Sequence, residues 1–190
     1  MPAKQWRWRF KTECNERSRE LRQELGVQPH DPLCPWELCE YLGIPILPMH
    51  QLEPSEHRTY LAGPRGREEF SAAVFYEGLR AFVLLNDTHS RKRLASDLAH
   101  EIAHVVLHHP PRPLFVADGV RSFSPEHEDE AGWLGPALLV SEEAALHAHR
   151  LIEDGEATLR QLSDRWTVTT DVIRMRINVV GAAKRLRRSA

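Results

Sequence analysis

Residues 91–109 read RKRLASDLAHEIAHVVLHH, and this stretch decides how the rest of the chain is read. It contains His100-Glu101-Ile102-Ala103-His104, an H-E-x-x-H sequence. In an α-helix residues i and i+4 share one face, so His100 and His104 can aim two imidazole nitrogens at a single Zn²⁺. Glu101 then leans over the open position of the metal, where it can take a proton from water. Ser90 or Thr88 can cap the helix, and Pro110-Pro111 stops it, because proline lacks an N–H and restricts the residue before it. Leu94, Leu98, Ala99, Ile102, Val105 and Val106 make its surroundings apolar. Two histidines and a glutamate buried there need a partner, and a metal supplies one.

The 190 residues suffice for one domain with a real core, or for a small domain with an appendage. Hydrophobic residues make up 42% and charged residues 27%, the balance of a globular chain, and a net charge of −2 argues for neither nucleic acid nor a membrane surface. Three cysteines, Cys14, Cys34 and Cys39, form no C-x-x-C pair, so free thiols in a reducing cytoplasm are expected rather than a cysteine–zinc cluster. No apolar run is long enough to span a bilayer, and the basic, aromatic N-terminus has no apolar region of the kind a secretory signal carries. A cytoplasmic protein is the expectation.

Outward from the motif, the pattern predicts an N-terminal tail over 1–12 and a helix over 13–25 that ends at Gly26. A short helix opening at Pro35 and ending at Gly43 follows, then an extended piece at Ile44–Leu47. Residues 50–69, with Pro54, Gly63, Pro64 and Gly66, read as a loop. Phe70–Phe75 and Ala81–Leu85 read as a β-hairpin turning through Tyr76–Leu79. The strand that leads into the motif helix is expected to be an edge strand, the kind that pairs with an extended peptide. Residues 110–123 look irregular. Ser124-Pro125-Glu126 is a helix start, with a capping serine, proline in the first turn and an acid near the positive end of the dipole. Proline at 136 predicts a kink in that helix. Helices over 141–152, 157–166 and 170–177 follow, and Lys184–Arg188 is a basic tail. The expected fold class is α+β: a small sheet packed on a helical bundle that contains the motif helix, with a C-terminal helical pair. The expected divisions are 1–12 as tail, 13–155 as the catalytic domain, 156–182 as the helical pair and 183–190 as tail.

A catalytic zinc takes about three protein ligands and keeps one open position. The helix from Ser124 offers Glu126, Glu128, Asp129 and Glu130. On a helical wheel Ala131, Gly135, Leu138 and Leu139 centre the apolar face. Glu128 lies close to that centre and Glu130 nearer the opposite side. Glu128 is therefore the expected third ligand.

These residues carry a resemblance. The chain resembles the ImmA/IrrE family of zinc metallopeptidases through Phe70-Ser71-Ala72, the strand into Leu85-Asn86, Arg91–Arg93, and Ala99–His104 with Leu107 and His108. Glu128–Ala131, Leu134, Leu138-Leu139, and Leu162-Ser163 through Trp166–Thr169 to Arg174 and Arg176 continue it in order. It implies a mixed α/β fold with a gluzincin-like site, in bacterial or phage proteins several of which cleave a helix-turn-helix repressor. By position it implies His100, His104 and Glu128 as zinc ligands and Glu101 as catalytic base. The chain departs from the family pattern at Gly132, where Asn or Asp is usual, and at Leu134, Pro136 and Ser141.

The chemistry expected is metal-assisted peptide hydrolysis of a protein substrate, such as a helix-turn-helix repressor, in transcription regulation or a stress response. An oxyanion donor besides zinc is also expected. Tyr60, His108 and His109 are the candidates, and their spacing does not choose among them. His108 and His109 also suit a helix end. The C-terminal pair is spaced like a helix-turn-helix, although packing on its own domain is expected rather than contact with DNA. A second reading is a non-catalytic sensor or binding module, or one half of a toxin–antitoxin pair. Metal content and a Glu101→Gln variant separate the two readings.

Overall fold

The computed structural model describes residues 6–110 and 124–187, so the expected irregular stretch lies, beyond Pro110, outside the described residues. The first helix, α1 (Phe10–Glu24), starts three residues before the expected Glu13, and Phe10 is fully buried with Trp6 stacked on it. Helix α2 (Pro35–Tyr41) opens on its proline as expected. Strand β1 (Ile46–Pro48) and a 3₁₀ turn at Met49–Gln51 come next.

Residues 50–69 are not the expected loop. They hold two short helices, α3 (Glu56–Ala62) and α4 (Pro64–Glu69). Ser55 caps the first by accepting the Arg58 N–H, and Pro64 sits in the first turn of the second. Helices of one or two turns show no apolar periodicity to read, so only their caps announce them.

Strands β2 (Ala72–Glu77) and β3 (Arg80–Leu85) form the expected hairpin, but β2 starts at Ala72 rather than Phe70 and continues through Tyr76 and Glu77, which were expected in the turn. Gly78 at φ +60° supplies the left-handed turn backbone. The sheet order is β1-β3-β2, with β1 parallel and β2 antiparallel to β3. The strand leading into the motif helix is thus the central one, not an edge. β1 takes its second side, with Ile46, Leu47 and Pro48 opposite Val83, Leu84 and Leu85. Among the described residues β2 is the edge strand on the other side, and its Val74 N–H reaches the motif helix.

The motif helix, α5 (Arg91–Val106), is capped by Ser90 and lies against both β2 and β3. It ends at Leu107, before the prolines. His108 takes a left-handed φ of 55°; its N–H bonds the Val105 carbonyl, and the His109 N–H bonds the His104 carbonyl. This paired closure is a Schellman motif with histidine in the place usually held by glycine.

Helix α6 (Pro125–Leu139) starts on the Ser124 cap and stays helical through Pro136 to its end. Its partners are α5 on one side and α1 on another. Gly135 permits the first contact: a Cβ there would stand 3.1 Å from the backbone of Ala99 and His100. The chain closes with α7 (Glu142–Glu153), α8 (Leu159–Trp166), α9 (Thr170–Val180) and α10 (Ala182–Arg187). The last of these makes a helix of most of the basic stretch, and Arg185 bonds Glu142. A mostly helical chain around a three-stranded mixed sheet is the α+β class expected.

Two apolar clusters result. One joins α1, α2, the sheet, α5 and α6 through Phe10, Leu38, Val83, Leu98, Ile102, Leu134 and Leu138. The other joins the end of α6 to α7, α8 and α9 through Leu139, Val140, Ala145, Leu162 and Ile173. No helix among the described residues is long and apolar enough to cross a membrane.

Candidate metal centre

Helix α5 presents His100 and His104 one turn apart, with ring centroids 4.9 Å from each other. Their Nε2 atoms are separated by 3.2 Å. Glu128, in the first turn of α6, reaches across from the facing helix. Its Oε2 stands 3.1 Å from His100 Nε2, and its Oε1 stands 3.7 Å from His104 Nε2. These three residues form a group whose ligand atoms all lie within 4.8 Å of one another.

The spacing tests whether a metal fits. Bonds of ~2.0–2.1 Å at tetrahedral angles place neighbouring ligand atoms about 3.3 Å apart. The two imidazole nitrogens at 3.2 Å and Glu128 Oε2 at 3.1 Å from His100 Nε2 stand near that edge length, and the other Glu128 oxygen approaches His104 Nε2 to 3.7 Å. Two imidazoles and a carboxylate are also the donor chemistry that zinc takes in a catalytic site. The residues fit the group.

Burial favours the neutral His100 ring, yet the Glu128 hydrogen bond and the charges of Glu101, Glu128 and Asp97 outweigh it and hold the imidazole above its ordinary value. One turn before His100, burial holds the Asp97 carboxyl above its usual range, against Arg93, His89 and His100. The anionic surroundings of the histidine pair suit a cation.

Glu101 turns toward the sheet. Its Oε2 accepts the backbone N–H of Val74 on β2 at 2.8 Å, which fixes the carboxylate at the strand edge. Tyr76 lies two residues further along β2. Burial, and after it the Glu101 charge, raises the Tyr76 phenol above its ordinary value, so it stays protonated at neutral pH.

The three candidate oxyanion donors separate in space. Tyr60 sits half exposed on α3, a helix tied to the end of β3 where the Asn86 amide donates to the Leu61 and Phe70 carbonyls. His108 is exposed and lines a cleft on the α1 side with Glu13, Glu16 and Arg17. His109 is buried behind His104, its Nδ1 at 2.7 Å from His104 Nδ1 and its Nε2 at 3.0 Å from Glu130 Oε2. Neither histidine stands over the open side of the cluster. The Schellman closure explains both positions: it throws His108 outward and folds His109 back under the last turn of α5.

Glu130 was expected near the solvent side of its helix, and the structure corrects that. Its side chain is 13% exposed and faces His109. A helical wheel assumes one buried face, whereas α6 is covered by α5 and α1 together, so most of its circumference is interior. The Val74 N–H that Glu101 accepts has no counterpart in the sequence reading either. A strand edge shows no sequence signal for which backbone group it offers.

At the other end of α6 two buried guanidiniums take up its last carbonyls. Arg22 bonds those of Leu138 and Leu139, and Arg176 bonds that of Val140. Burial lowers both arginines to about 10.

Comparison with known proteins agrees with this geometry. No curated protein and no solved structure matches the chain. The model of the peptidase family described as IrrE N-terminal-like domain matches residues 39–178, a span that holds the sheet, both histidines, Glu101 and Glu128. By that match, which covers well over half its length, the chain belongs to the IrrE N-terminal-like peptidase family, as its ordered motifs implied.

Proposed function

We propose that this protein is a zinc-dependent endopeptidase that cleaves a partner protein. One observation carries the reading. Two imidazole nitrogens and a carboxylate from facing helices converge within 4.8 Å of one another, beside a carboxylate held at a strand edge. Zinc held by His100, His104 and Glu128 would supply Lewis acidity that acidifies water and polarises the scissile carbonyl.

The chain's own groups do the rest. Glu101 takes the proton from the attacking water and returns it to the amide nitrogen as the C–N bond breaks, leaving a carboxylate and an amine. The Val74 N–H holds the Glu101 carboxylate in one orientation, with Oε1 turned from that bond. Beyond the Val74 N–H that Glu101 holds, the β2 edge, which no other described strand covers, offers main-chain pairing to an extended peptide, which brings a backbone carbonyl to the site without demanding a particular side chain. Tyr76, on that strand and kept protonated, is the donor we assign to the developing oxyanion. This replaces His108 and His109 in that role.

The family resemblance supports a regulatory substrate, a helix-turn-helix repressor being the class we favour, in a cytoplasmic setting. The test uses a library of peptides from a bacterial lysate. The zinc-loaded native chain should cleave a subset of them. Glu101→Gln should bind zinc equally and cleave on the order of 10²–10⁴-fold more slowly. Equal cleavage by both proteins would remove Glu101 as the base, and no cleavage by the native one would overturn the reading in favour of a binding module.

A further inference from the structure

The histidine behind the cluster has a consequence for the metal ligand in front of it. His104 must present a bare Nε2 to a metal, so its single ring proton must sit on Nδ1. Nδ1 of His104 faces Nδ1 of His109 at 2.7 Å, inside a pocket where the His109 side chain is only 6% exposed. Two nitrogens at that distance share one proton. Either ring could carry it, and something else must choose.

Glu130 chooses. Its carboxylate accepts only, so the hydrogen bond at 3.0 Å requires the His109 proton on Nε2. A neutral His109 with its proton there has a lone pair on Nδ1. That lone pair accepts from His104 Nδ1, which leaves His104 Nε2 bare and directed at His100 and Glu128. Two further contacts hold the support in place. His127 stacks on the His109 ring at 4.3 Å with planes 16° apart, and Arg7 stands 3.7 Å from the other Glu130 oxygen. The backbone contributes too, since the His109 N–H bonds the His104 carbonyl.

We propose that Glu130 and His109 are positioning residues that lock His104 into the tautomer a metal requires, a carboxylate–histidine–histidine support behind the ligand. The usual form of such support is one carboxylate or carbonyl on the ligand's second nitrogen. Here a second imidazole is inserted between, reached because the Schellman closure folds the chain back at Leu107. The proposal rests on the metal reading above, but its tautomer content is a property of the metal-free chain.

Nitrogen-15 correlation spectroscopy of the metal-free native protein, in mildly alkaline solution, reads the tautomers directly. His104 should carry its proton on Nδ1, the form free imidazole side chains disfavour, and His109 should carry its own on Nε2. His104 protonated on Nε2 would overturn the proposal. The second measurement is zinc affinity by chelator competition. Glu130→Gln keeps the shape but can donate to His109, so its affinity should fall on the order of 10–100-fold. His109→Phe removes the acceptor of the His104 proton, so its affinity should fall by the same order. Glu130→Gln binding zinc within about twofold of native would also overturn it. Should Glu130→Gln not fold, the native tautomers decide. Should the native chain bind no zinc, the metal reading fails while the tautomer result still judges the support.

Discussion

At the scale of single residues, charge burial separates groups kept reactive from groups kept inert. Glu101 stands at a strand edge with its carboxylate held by one N–H. Cys14 and Cys39 are the opposite case. Burial pushes both thiols from 9.0 to about 12. A thiol attacks only as thiolate, so both should resist alkylation in the native state at neutral pH and react on unfolding, as mass spectrometry would show. The linked sign follows. The unfolded chain ionises these thiols near their ordinary value while the native chain does not, so their contribution to stability falls as pH rises above 9.0 toward 12. Urea titrations of the native chain against Cys14→Ala with Cys39→Ala should isolate the thiol contribution, the native chain losing stability relative to the variant as pH rises. Arg22 and Arg176, lowered to about 10, act with the opposite sign in both. What the residues themselves disclosed followed the same division. The H-E-x-x-H spacing named His100, Glu101 and His104 because a helix repeats at short range. Glu128 needed a second helix and a guess at its inward face. His109 and Glu130 were legible only as residue types, since their pairing depends on where α5 ends.

At the scale of elements, the contact of α5 with α6 sets the distance from the histidine pair to Glu128. Gly135 is the point of closest approach. Gly135→Ala would drive a methyl to 3.1 Å from the backbone of Ala99 and His100, where no flexible side chain can give way. The expected cost is ~1–3 kcal/mol of stability. Zinc affinity should drop with it, because the two helices carry different ligands; calorimetry and chelator competition measure the two effects. An unchanged affinity would mean that Glu128 is placed by its own loop rather than by helix packing. Element boundaries were readable where chemistry marks them: Ser90 and Ser124 as caps, Pro35 and Pro125 in first turns, Gly78 in the hairpin. They were not readable where only the sheet decides. The central place of β3 comes from β1 pairing with it in parallel across α3, α4 and β2, a long-range choice that local alternation cannot report.

At the scale of the whole molecule, α6 is the axis. Its first turn gives Glu128 to the cluster, its second supports His104 through Glu130, and its middle packs on α5. Its last carbonyls are held by Arg22 from α1 and Arg176 from α9. The N-terminal helix and the C-terminal helical group thus grip the end of the helix whose beginning carries Glu128. The helix-turn-helix-like pair has a structural use in this arrangement, since Ile173 and Arg176 of α9 are buried. The central claim is that α5 and α6 together hold one metal ion with three side chains. An anomalous difference map at the zinc edge, from crystals of the zinc-loaded protein, tests it most directly. The account predicts one peak within bonding distance of His100 Nε2, His104 Nε2 and the Glu128 carboxylate. A zinc-loaded crystal whose peak lies elsewhere, with Glu128 turned away from both imidazoles, would contradict it.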